Sequence, residues 1–217
     1  MSDVVFFLLF SPVMEFLALS LFTFSLFRFP LRGFIPHLIF LCLLLSYVAY
    51  TLRELGWTSY APSIQMILFI VGIWLLFRVH SFYAVIMGVT GYHGYIVIQV
   101  PILLAMEAAG WANLSQGEGL EWVQFATVLA AGLITWLLRR YQIGFTFIPA
   151  SDTRRVRFHK YNLIMLAVAL LDIVLEGVFI LLYKTKVNGL AFLLSTVQFL
   201  IMLFFLNYAM KKERNLY

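Results

Sequence analysis

Hydrophobic positions along this chain do not alternate with polar ones at helical or strand period. They run together in seven blocks, about Val4 to Phe27, Phe34 to Leu52, Tyr60 to Phe77, Phe82 to Ala109, Leu120 to Leu138, Leu163 to Tyr183 and Leu190 to Met210. Each block is near the ~20 residues that a helix needs to cross a hydrocarbon core. Where no water can satisfy the backbone, only helices or closed barrels cross, and unbroken apolar runs select helices. The pattern predicts an all-α polytopic membrane helix bundle of seven transmembrane helices. Residues 1–217 form a single transmembrane domain, with a short basic tail over 211–217.

Composition agrees: 63% hydrophobic and 12% charged residues leave too little polar surface for a water-soluble globule. Twelve of the fifteen Lys and Arg residues fall in the gaps after blocks one, three and five and in the tail. That asymmetry predicts a multi-pass cell-membrane protein with an outside N-terminus and a cytoplasmic C-terminus. Met1-Ser2-Asp3 has no basic run and the first block carries Glu15, so it is expected to be a retained helix rather than a signal peptide. Cys42 lies inside the second block, and one cysteine permits no internal disulfide. Trp57, Trp111, Trp122, Trp136 and Tyr141 sit near block ends, as interface anchors do.

The informative residues are ionisable ones inside the blocks, because a charge at mid-bilayer is costly unless paired, neutralised or wet. They are Glu15, His93, Asp172 and Glu176. Distance from the block ends puts Glu15, His93 and Asp172 near one depth and Glu176 a turn further out. Asp172 and Glu176 share a helix face, and two carboxylates so close in hydrocarbon do not both stay charged. No Lys or Arg lies at a block centre to neutralise them. One reading makes these residues, with Tyr92, Tyr95 and Gln99, a ligand-binding or proton-linked centre. Another has protonated carboxyls tying helices together. A metal site is the weakest alternative, since neither HExxH nor Cys/His spacing is present.

The fourth block would reach ~42 Å as a helix, beyond a ~30 Å core, so it is expected to tilt, kink or protrude. Gly88, Gly91 and Gly94 predict close helix contact, and Pro101 a kink. Arg139, Arg140, Arg154, Arg155, Arg157 and Lys160 in the long cytoplasmic gap suit anionic lipid head groups. His37 and His80 fall near interfaces, where a solvated histidine is the default. Asn113-Leu114-Ser115 fits a glycosylation sequon that chance also explains. The last block has no lysine for a retinal Schiff base, and no Walker loop or GxSxG is present, so no enzyme and no cofactor are expected.

The early Met14-Glu15-Phe16-Leu17, then Leu26-Phe27-Arg28 and Leu175-Glu176-Gly177, and a last block running into Lys211-Lys212-Glu213-Arg214 give a layout that resembles the membrane sensor region of bacterial peptide-pheromone receptor histidine kinases of the accessory-gene-regulator type. The resemblance spans the whole chain and implies an extracellular peptide or small ligand and a signal leaving at the C-terminal end. In that family a kinase follows the last helix, whereas the sequence ends at Tyr217. That departure implies a stand-alone sensor acting through a cytoplasmic or membrane partner, or a piece of a longer chain. The lipid bilayer is the expected partner, a homodimer is a compatible assembly, and nucleic acid is not expected. Competing functions are a small proton-linked secondary transporter built as three plus one plus three helices, and a structural subunit of a membrane complex.

Overall fold

The computed structural model describes residues 2–111, 119–148, 160–184, 196–197, 200–201 and 203–211. The described residues are all-α, with no strand among them. Helices α1 (Ser2–Leu26), α2 (Ile35–Glu54), α3 (Ala61–Leu76), α4 (Ser81–Ala108), α5 (Leu120–Arg140) and α6 (Lys160–Lys184) start and end within three residues of the apolar blocks, and a single 3-10 turn, Thr58–Tyr60, leads into α3. Of the seventh block, residues 203–210 are helical, and most of its first half lies outside the described residues. Among the described residues, three helices, α2, α4 and α5, are long and apolar enough to cross a membrane.

On α5 the burial pattern is the reverse of a soluble helix. On α5 the buried positions are Val123, Thr127, Ala131 and Thr135, while Phe125, Leu129, Leu133 and Trp136 are exposed. Small and hydroxylated side chains inside with large apolar ones outside is how helices pack when the surroundings are lipid. On α2, Cys42 and Ser46 are buried together with Leu38, Leu41 and Leu45, while Ile39, Phe40, Leu43 and Tyr47 are exposed. Three buried hydroxyls are satisfied along their own helices: Thr23 donates to the Leu19 carbonyl at 2.8 Å, Ser46 to the Cys42 carbonyl at 2.7 Å and Thr127 to the Val123 carbonyl at 2.7 Å.

The chain divides into two compact units, Met1–Tyr50 with Gly91–Gly144, and Thr51–Thr90 with Phe145–Tyr217. α4 thus supplies its first ten residues to one unit and the remainder to the other. In the second unit α3 packs on α6 and on the 3-10 turn. There Gly88 lets α4 close on α3: a Cβ at this position would meet the Ile70 side chain and lie 3.3 Å from its Cα. His80 caps α4, its Nδ1 accepting from the Phe82 amide at 3.3 Å.

In the first unit α1 packs along α5. Two hydrogen bonds fix direction and register: the Ser11 hydroxyl donates to Gln124 Oε1 at 2.9 Å, and Arg139 Nε donates to Ser25 Oγ at 2.7 Å. Residue numbers rise together on both helices, so the pair is parallel. Gly91 brings α4 against α1, where a Cβ would overlap Thr23 and lie 2.6 Å from its Cγ2. Ser20 of α1 faces Cys42 of α2 at 4.0 Å.

Candidate functional site

Among the residues singled out from the sequence, those that the first unit encloses or half-encloses come from α1 and α4. Tyr95 is 4% exposed and His93 4% exposed, while Glu15, Tyr92 and Gln99 are half-buried. The glycines explain how bulky polar residues reach the interior: with no side chain at Gly91, α4 lies close enough to α1 for its neighbours to be enclosed. Gly94 is buried beside them, and Pro101 lies in the same continuous helix.

Electrostatically, Glu15 lies within reach of Tyr95. Glu15 and Gln99 are each eight residues from the Gly91–Thr23 contact, ~12 Å along the axis, whereas His93 is only ~3 Å from it. Glu15 and Gln99 thus lie equally far along their own helices from that contact, and His93 lies close to it. The Tyr95 hydroxyl has no hydrogen-bond partner among the described residues, and neither has Thr135 Oγ1 on the buried face of α5. The rings of Tyr92 and His93 stand edge to face with centroids 6.4 Å apart. Glu15, Tyr92 and His93 all make interactions within the fold.

Asp172 and Glu176 lie one turn apart on α6, in the other unit, and their side chains are outside the described residues. So are Arg154, Arg155 and Arg157 and the sequon at Asn113, while Lys160 opens α6. No group of three or more His, Cys, Asp or Glu suited to a metal ion occurs among the described residues.

A second polar cluster, which charge counting does not reveal, joins the ends of α1 and α5. α1 closes with the Arg28 amide donating to Ser25 O at 3.1 Å and the Phe29 amide to Phe24 O at 2.8 Å. This is a Schellman cap, completed by the Phe24 and Phe29 rings at 5.4 Å. α5 ends in the same way, the Ile143 amide reaching Leu138 O at 2.9 Å. The left-handed cap positions, normally glycine, are Arg28 (φ 47°) and Gln142 (φ 54°). Their side chains meet: Arg28 Nη2 donates to Gln142 Oε1 at 2.9 Å, and Gln142 Nε2 donates to Arg139 O at 3.0 Å. Gly144 (φ 146°) then folds over α1, where a Cβ would sit 2.6 Å from Leu26 O.

By contrast, α2 and α4 end on glycines, Gly56 (φ 72°) and Gly110 (φ 73°), while α3 is followed by Arg78 (φ 53°). The chain matches no protein-family model, no curated protein and no solved structure.

Proposed function

We propose that this chain is a multi-pass membrane sensor that crosses the bilayer seven times, with its N-terminus outside and its C-terminus in the cytoplasm. Two features support the topology. α1 and α5 are parallel, as two helices separated by an even number of crossings must be. Left-handed Arg28, Arg78 and Gln142 follow the odd-numbered helices and glycines follow α2 and α4, in step with the basic gaps. The ligand, an extracellular peptide or small molecule, binds between α1 and α4 against Glu15, Tyr95 and Gln99.

The observation that carries this reading is the buried Tyr95 hydroxyl, within electrostatic reach of Glu15 and with no hydrogen-bond partner among the described residues. A donor left unsatisfied in an apolar interior costs about 1–3 kcal/mol, and a ligand acceptor would recover it. Binding biases the protein only through unequal affinity for two states. A test uses full-length protein in nanodiscs, titrated with the peptide fraction of spent growth medium and read by tryptophan fluorescence. Wild type should saturate, and Tyr95→Phe and Glu15→Gln should each shift the midpoint about tenfold while inserting normally. Unshifted midpoints in both variants would refute the site.

A transporter is the second reading, favoured by one observation: in a three-plus-one-plus-three arrangement α1 and α5 are corresponding helices, and here they pack together. Solute accumulation in proteoliposomes under a pH gradient, abolished by Glu15→Gln, would select it.

A further inference from the structure

We propose that the joined ends of α1 and α5 form a seat for the phosphodiester of one anionic phospholipid, with Arg28 and Arg139 as its arms. The inference is independent of the sensor reading and needs only that these helices lie in a membrane.

Charge is the first argument. Two turns separated by more than a hundred residues bring Arg28 and Arg139 to one polar cluster through Gln142, with Arg32 and Arg140 close by in sequence, and neither 27–34 nor 137–144 contains an acid. None of the four has a carboxylate partner among the described residues. A cluster meant only to set topology needs no fixed geometry, because counting charges suffices for that.

This cluster is held in place. Arg139 is fixed through Nε by Ser25, and Arg28 through one Nη by Gln142. Each guanidinium has five N–H donors, so most of each fork is left for an outside acceptor, and a phosphate accepts in that geometry. The backbone supports the same conclusion. Left-handed Arg and Gln are strained where glycine would be comfortable, and that conformation aims their side chains at each other. Gly144 closes the turn over Leu26 O, in a space that admits no side chain.

The surroundings name the source of the phosphate. Exposed Trp136 and Tyr141 flank the arginines as head-group anchors do. Leu129, Leu133 and Trp136 form an exposed apolar stripe on α5 that leads to Arg140 on the same face. A lipid fits both parts at once, with acyl chains along the stripe and phosphodiester at the arginines. A free phosphate uses only the second.

Native mass spectrometry of the full-length protein, released from micelles holding equal phosphatidylglycerol and phosphatidylcholine, tests this. Wild type should retain one phosphatidylglycerol in preference. Ser25→Ala and Gln142→Ala keep every positive charge and should lose that preference by roughly threefold or more. Arg28→Gly relieves the strained backbone, so it should fold, yet it should lose the preference by about fivefold. Equal retention of both lipids by wild type would overturn the proposal. So would wild-type selectivity in both Ser25→Ala and Gln142→Ala, which would mean that only summed charge acts. Displacement of the lipid by inorganic phosphate at matching concentration would also overturn it, by making the seat a free-anion site.

Discussion

Alanine at Gly91 and alanine at Gly132 should change stability in opposite directions. Both glycines lie inside helices, so each substitution removes backbone freedom from the unfolded chain and by itself stabilises by about 0.5–1 kcal/mol. Gly132 is exposed, and a Cβ there meets nothing within 4 Å, so that gain should be seen in full. At Gly91 the new methyl would lie 2.7 Å from Thr23 Cβ and 2.6 Å from its Cγ2, where ordinary carbon contacts are ~3.5–4 Å. Thr23 cannot swing aside, since it is fully buried and its hydroxyl is held by Leu19 O at 2.8 Å. α1 and α4 must then part by about 1 Å, an overpacking that costs up to about 3 kcal/mol. Set against the propensity gain, the net loss is ~2 kcal/mol, about thirtyfold in the folding equilibrium. Thr23→Ala deletes two of the three closest atoms and should restore roughly half in the double variant. Equilibrium unfolding of the full chain in mixed micelles with increasing SDS measures all four proteins. If Gly91→Ala matches Gly132→Ala in sign, the close approach of α4 to α1 is wrong.

Gly144→Ala should cost about 2 kcal/mol, combining a left-handed backbone with collision against Leu26 O, and should speed exchange of the Ile143 amide that closes α5. Tyr95→Phe should leave thermal stability within about 0.5 kcal/mol or raise it, because the lost hydroxyl has no partner among the described residues; a clear loss would reveal a hidden bond. A double-mutant cycle on Ser11 and Gln124 should give a coupling near 0.6 kcal/mol, typical of hydrogen bonds between membrane helices, and zero coupling would remove that tie. His80→Ala should lower stability by about 1 kcal/mol through loss of the α4 cap, with hydrogen exchange rising first at Phe82.

Helix boundaries were legible because apolar length is written directly in the sequence, and Gly56 and Gly110 mark the ends of α2 and α4 in a readable way. Partner choice was not. In lipid every apolar face is equally content, so helix contacts are decided by a few small and polar residues such as Gly91 with Thr23 or Ser11 with Gln124, and no periodicity announces those pairs. Gly88 and Gly91 could be singled out as points of close approach, but not their partners Ile70 and Thr23. Arg28 and Gln142 were hidden because a left-handed cap on a residue other than glycine leaves no mark in the sequence. Counting their charges says nothing of their geometry.

The two ties between α1 and α5 have a mechanical consequence. Fourteen residues separate Ser11 from Ser25 and fifteen separate Gln124 from Arg139, so the helices are bolted at points ~21 Å apart on one rod and ~22 Å on the other. Neither rod shifts its register against the other without breaking both hydrogen bonds.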